Sequence, residues 1–240
     1  MNEVAARAWA HRAAVERAST VQFERLVALL HALDAPLVLI NLAGTAADDE
    51  RRHEALCTTL ARSGGVEPRF PTEVPELAPS GFDDFERCAW LAVAHCCIAE
   101  TESVATLSTL VPRPDAGREA VVQQALVEIA RDEVKHAQLG WAVVNWLAAK
   151  RSLSFLAPGL PAMLEPGARP LYGQAAEGPA EAGLFREGVL PVATARALFE
   201  ETLFGVVLPG LARVGVDGAS AREWVARASQ PPLPLGRGSG

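Results

Sequence analysis

The sequence predicts an all-α fold: a four-helix bundle made of two antiparallel helical hairpins, followed by a C-terminal helical and irregular extension. Three observations carry that prediction. Apolar residues recur at three-or-four spacing through four long segments, the periodicity of a helix with one buried face. Ala and Leu dominate while aromatic residues make up only 6 %, a composition that favours helix over strand. No stretch alternates apolar and polar residues with the period of a half-buried strand. Half of the 240 residues are hydrophobic, so a sizeable core can be buried.

The elements follow in order. The first helix is predicted over about residues 3–33 and stops at "DAP", where Pro36 can open the next. The second covers about 36–61 and ends at "SGG"; a Pro- and Gly-rich loop, "GGVEPRFPTEVPELAPSGF", comes after it. The third covers about 83–111 and is broken by "PRPDAG", and the fourth covers about 118–150. Short connections within each pair make antiparallel hairpins, and the longer loop joins them. Further on, "LAPGLPAMLEPGARPLYGQAAEGPAEAG" holds too many Pro and Gly for a regular element. A shorter helix or pair is predicted over about 191–214, and "SQPPLPLGRGSG" reads as a disordered tail. The chain thus divides into a bundle (1–150), an extension packed on it (151–228) and the tail (229–240).

A formal net charge of −7 and a pI near 5.3 argue against nucleic acid or an anionic membrane as partner. The first residues, "MNEVAARAWAHRAAVERAS", mix charge throughout and do not read as a signal peptide. The longest apolar runs are too short to span a bilayer, so a soluble cytoplasmic protein is expected. The cysteines, Cys57, Cys88, Cys96 and Cys97, form no C-x-x-C pair, which speaks against a zinc ribbon or a rubredoxin-like iron site. Adjacent cysteines in a helical pattern read as small buried hydrophobes.

Placing the acids on these helices raises a question. In the fourth helix Val122, Leu126, Ile129, Glu133, His136, Gly140, Val143 and Leu147 share one face, so Glu133 and His136 stand within the apolar stripe. In the second, Leu39, Leu42, Ala46, Glu50, His53 and Cys57 do the same. In the third, Glu100 is the acid on the face of Val93, Cys97, Val104, Leu107 and Val111. The first helix offers Glu16, on the face of Thr20, Phe23, Val27 and Leu30, or Glu24, beside Arg17, Ala28 and His31. Glu100 precedes Glu133 by 33 positions and Glu16 precedes Glu50 by 34, against 26 for Glu24, so the two hairpins match only with Glu16. At roughly 1.5 Å rise per residue the four acids fall within about one turn of a common level.

Four carboxylates inside an apolar bundle cost several kcal/mol each unless compensated, and two divalent cations balance their four negative charges. One Glu from each of two helices plus Glu-x-x-His from each of the others is the ligand set of a carboxylate-bridged dimetal centre. Oxygen donors with one imidazole per metal suit iron or manganese better than zinc or copper. Asp49 and Asp132, each just before a Glu-x-x-His, are placed to hold the histidine of the opposite hairpin; a solvated surface aspartate is the alternative. Arg51, Arg52, Arg131 and Lys135 are expected to point outward, and His11, His31 and His95 to be surface or second-layer residues.

With those residues in view, the chain resembles the ferritin-like superfamily of dimetal-carboxylate proteins. It is closest to the bacterial ferritin-like domain-containing group, in "ERAS" at 16–19, "DDERRHEALC", "CIAETES" and "IARDEVKHAQLGW". The resemblance covers about residues 5–150, and weakly the helix ending "VVLPGLARVGV". It implies Glu16, Glu50, His53, Glu100, Glu133 and His136 as ligands of two iron ions (or manganese, or a mixed pair), with Asp49 and Asp132 behind them. It also implies an O2-dependent oxidoreductase, an oxygenase or oxidase, acting on a small organic substrate with an external electron donor. The alternative is a ferroxidase, iron store or peroxide scavenger; a purely structural domain is a third reading. The long extension favours the enzyme, with Phe155, Leu160, Leu171 and Phe185 as candidate pocket lining, and the helical exterior leaves room for a homodimer. The lone Tyr172 lies outside the bundle, which speaks against a tyrosyl-radical role.

Overall fold

The computed structural model describes residues 1–112, 117–173 and 181–230. It is helical, with no strand among the described residues. Helix α1 (Glu3–Ala32) and α2 (Leu37–Ser63) form the first hairpin. Asp34 takes up the left-handed conformation (φ +50°) in the turn between them. The second hairpin begins at α3 (Asp84–Leu91), where Asp83 and Glu86 cap each other's backbone N–H groups in a reciprocal box. It continues through a π-helical stretch, Ala92–Glu100, into α4 (Thr101–Leu110), and returns along α5 (Ala120–Ala148).

The four long segments match the predicted ones to within a few residues, with three differences. The third is not one α-helix: nine residues at its centre are wound as π-helix. Leu42 is largely exposed, on the edge of the α2 stripe rather than inside it. The extension is also more regular than its Pro and Gly content suggests. A 3-10 turn (Ser154–Gly159) leads into α6 (Leu160–Gly173), which contains both Pro166 and Pro170. Leu160, Met163, Leu164 and Ala168 of α6 are buried against the bundle, and that packing outweighs the prolines' cost to the helix.

Helices α7 (Glu181–Arg186), α8 (Val192–Thr202) and α9 (Leu208–Arg213) follow, with a second π stretch, Leu203–Val207, between α8 and α9. A further helix, α10 (Ala219–Ala228), went unpredicted because only Ala221 and Val225 of it are buried. Most of the tail predicted to be disordered, from residue 231 on, lies outside the described residues.

Two apolar clusters divide the bundle along its length. One gathers Trp9, Ala13, Cys57, Leu60, Leu107, Leu126 and Ile129 at one end. The other, around Phe23, Leu26, Ile40, Val143 and Leu147, extends into α6, α8 and α10. A layer of acids and histidines lies between the two. Where α5 passes the π stretch the backbones nearly touch, since a Cβ on Gly140 would lie 2.4 Å from that of Cys96.

Candidate metal centre

Each element delivers one part of that polar layer. Glu16 comes from α1, Glu50 and His53 from α2, Glu100 from the end of the π stretch, and Glu133 and His136 from α5. All six are buried, none more than 4 % exposed. Their ligand atoms fall into two overlapping groups, each within 4.8 Å: Glu16, Glu50, His53 and Glu133, and Glu50, Glu100, Glu133 and His136. Glu50 and Glu133 belong to both groups, and each group is completed by one further Glu and one His. Glu24 lies on the solvent side, paired with Arg51.

Both imidazoles turn Nδ1 toward the acids. His136 Nδ1 lies 3.0 Å from Glu50 Oε1 and 3.6 Å from Glu133 Oε2, and His53 Nδ1 lies 3.5 Å from Glu50 Oε2. The opposite nitrogens face the aspartates of the other hairpin: His136 Nε2 hydrogen-bonds Asp49 at 3.3 Å, and His53 Nε2 lies 3.6 Å from Asp132. With Nε2 turned toward an aspartate, Nδ1 of each ring is the nitrogen that would meet a cation.

The basic flanks do not all turn away. Arg51 does, but Arg52 spans Asp49 (2.6 Å) and Asp132 (2.8 Å), and Lys135 closes on Asp132 at 2.7 Å. The aspartates sit at the bundle's rim, where long side chains can fold back over them. Burial opposes charge on Asp132, but hydrogen bonds from Arg131 and Lys135 prevail and hold its pKa below the ordinary aspartate range.

Several buried polar atoms here have no hydrogen-bond partner among the described residues: both Glu50 carboxylate oxygens, Glu133 Oε2, both ring nitrogens of His53, His136 Nδ1 and His95 Nε2. The close approaches of His136 Nδ1 are off the line of a hydrogen bond. Burial, together with the neighbouring carboxylates, pushes the Glu50 and Glu100 carboxyls well above the usual range. His136 is held down by its burial but raised further by Glu133 and Glu50, reaching about 10. Glu133 moves the other way: its burial is outweighed by Glu100, His136 and the charge of the nearby Arg12, which hold its carboxyl below the usual range. Oxygen and imidazole donors left unpaired at this spacing fit two divalent ions.

Two neighbours complete the layer: Arg12, which the sequence did not single out, and His95, expected at the surface or in a second layer and found in the latter. The Arg12 guanidinium donates to Glu16 (2.7 Å), Glu133 (3.2 Å) and Ser103 (2.9 Å). Its position four residues before Glu16 was the available signal. His95 is buried, with Nε2 3.2 Å from Glu100 Oε1 and its ring edge-on to Phe23. Burial, then the nearby His136, lowers its pKa to about 4, so the ring is neutral. Five residues make about 1.4 turns of α-helix, which would part His95 from Glu100; the i to i+5 winding of π-helix brings them to one side. His11 and His31 are exposed.

His95 also walls a cavity of about 350 Å³ between α1, the π stretch, α4, α6 and α8. The extension reaches it through Met163, Leu164, Pro166 and Phe199, not through Phe155, Leu160, Leu171 or Phe185. Leu160 is instead buried in the core beside Leu164, Phe155 packs on Phe82, and Phe185 joins the opposite apolar cluster. A larger, open groove lined by Glu3, Arg7, His11 and Glu67 contains none of the six clustered residues.

A solved structure described as "Protein 19 with aldehyde deformylating oxidase activity from Synechococcus" superposes on this chain with a TM-score of 0.56, covering 92 % of this chain and 94 % of that one at 18 % identity. The fold is ferritin-like. No protein-family model matches the chain, and no curated protein matches it. The likeness extends through the extension as well as the ferritin-like bundle. Among the described residues no helix is long and apolar enough to cross a membrane.

Proposed function

We propose that the chain is a non-haem dimetal oxidoreductase, an oxygenase or oxidase that uses O2 on a small organic substrate, with iron or manganese as its metal and an external electron donor. The observation that carries this reading is the pair of overlapping donor groups, whose buried Glu50, Glu133, His53 and His136 atoms have no other partner. Glu50 and Glu133 would be shared between two ions, Glu16 and His53 would complete one position, and Glu100 and His136 the other. Bound there in the reduced state, such a pair supplies electrons to O2 and thereby an oxidant for an organic molecule.

The chain's own groups do the rest. Asp49 and Asp132 hold the imidazoles with Nδ1 inward. Arg12 fixes one oxygen each of Glu16 and Glu133, and Phe23 packs edge-on against His136 and His95 to keep that side apolar. An apolar, water-poor surround strengthens every charge interaction within it. The cavity beyond His95 gives an organic molecule a place beside the centre, which a storage function would not need.

Elemental analysis after reconstitution tests the metal, and O2 uptake by the anaerobically reduced protein tests the chemistry. The expected result is about two iron or manganese ions per chain and consumption of only a few O2 per chain without substrate. Zinc alone, one ion per chain, or a hollow assembly that mineralises hundreds of irons would overturn the reading.

A further inference from the structure

We infer that the cavity beside His95 is a binding site for a small, largely apolar amine, held by Glu102. This rests on the proposed function for the chemistry the amine would undergo, but not for its binding. At about 350 Å³ the cavity is at the small end of ligand pockets; at interior packing density it holds roughly ten to fifteen non-hydrogen atoms. Trp90, Ile98, Met163, Leu164 and Phe199 make most of the wall apolar.

The polar groups on that wall are His11, Ser19, Gln22 and His95 and a single carboxylate, Glu102. Glu102 is half-buried and makes no hydrogen bond or ion pair among the described residues. Arg12, the cation that acts on it from a distance, is engaged by Glu16 and Glu133. Gln22 spends its amide N–H on the Pro75 carbonyl and its oxygen on Arg25.

The extension adds backbone acceptors. Pro166 and Pro170 lack the N–H that a helix would offer to the carbonyls four residues earlier, so Ala162 and Pro166 lose those donors; both residues line the cavity. Among the described residues no lysine or arginine lines it. A carboxylate or phosphate entering here would leave water for a largely apolar space that holds a carboxylate and, among the described residues, no lysine or arginine, a costly transfer. An ammonium group would instead pair with Glu102, and a charge-assisted hydrogen bond in an apolar site is among the stronger ones.

Three eight-carbon probes with different heads test this by calorimetry on the metal-free protein: n-octylamine, 1-octanol and octanoate. The expected result is one octylamine per chain, bound at least about tenfold more tightly than octanoate. Glu102→Gln should remove most of that preference while leaving octanol binding within about twofold. Met163→Trp, which fills the cavity, should weaken all three, and this separates the cavity from non-specific attraction to an acidic protein. Unfolding midpoints of both variants report whether the fold is retained. Equal or tighter octanoate binding, no octylamine binding, or a preference unchanged by Glu102→Gln would overturn the inference. Because the assay uses neither metal nor O2, its failure leaves the dimetal reading standing, and loss of the dimetal reading leaves the amine site testable.

Discussion

Glu16 and Glu100 hold matching places in the two hairpins, yet their surroundings differ. Glu16 sits on a regular helix and receives a hydrogen bond from the permanently charged Arg12, which also reaches Glu133. Glu100 ends a π stretch and faces the neutral ring of His95, whose other side borders a cavity. The first hairpin therefore holds its lone carboxylate with a fixed charge, and the second holds its own beside a soft neighbour and open space. Matching places in the two hairpins need not have matching surroundings: a fixed cation anchors one carboxylate, and the other stands next to open space.

The largest expected effect tests the shared members of the centre. Glu50→Ala or Glu133→Ala should take bound metal from about two equivalents toward none, whereas Glu16→Ala or Glu100→Ala should leave about one. Equal losses from all four, measured by elemental analysis, would break the distinction between shared and single residues.

Next in size is the contrast between Arg12 and His95. Arg12→Leu leaves two buried carboxylates short of their cation and should cost the metal-free protein about 3–5 kcal/mol in denaturant unfolding. His95→Leu removes a neutral ring and should cost no more than about 1–2 kcal/mol. A reversed order would show that the anchorage lies in the second hairpin.

Two glycines extend the comparison to packing. Gly140→Ala drives a methyl group into Cys96, with its Cβ at 2.4 Å and backbone carbon at 2.9 Å, and should destabilise by about 1–3 kcal/mol. Gly44 lies inside α2 with nothing within 4 Å of an added Cβ. Gly44→Ala should therefore stabilise by about 0.5–1 kcal/mol, the ordinary helix-propensity gain. Thermal melts of the pair measure how much tighter the second hairpin is packed. The smallest effect belongs to Glu24→Ala, which removes an exposed pair with Arg51 and should change stability by under about 1 kcal/mol, with metal content unchanged.

These contrasts mark where the sequence was readable. The four long helices were legible because a 3.6-residue period runs through each, and the choice of Glu16 over Glu24 because the hairpins repeat at nearly equal spacing. The convergence of six side chains follows from that period together with the repeat and the rise along each helix. His95 was not legible beside Glu100, because π winding changes which residues share a side and leaves no mark in an apolar run such as "AVAHCCIAE". Arg12 offered only its four-residue spacing to Glu16 as a signal, since its contact with Glu133 comes from a distant helix. The α6 helix was hidden by Pro166 and Pro170, whose local penalty is outweighed by the burial of Leu160, Leu164 and Ala168.

The crosswise holding of the histidines has a consequence for how the protein matures. His53 of the first hairpin faces Asp132 of the second, and His136 of the second faces Asp49 of the first. A first hairpin emerging alone during synthesis would carry Glu16, Glu50 and His53 but lack Glu133 and the aspartate that aims its imidazole. Assembly of the cage thus waits on contacts between residues far apart in the chain, which form late because long loops must close first. Were the six groups to hold metal, the full donor set would exist only once both hairpins had packed together.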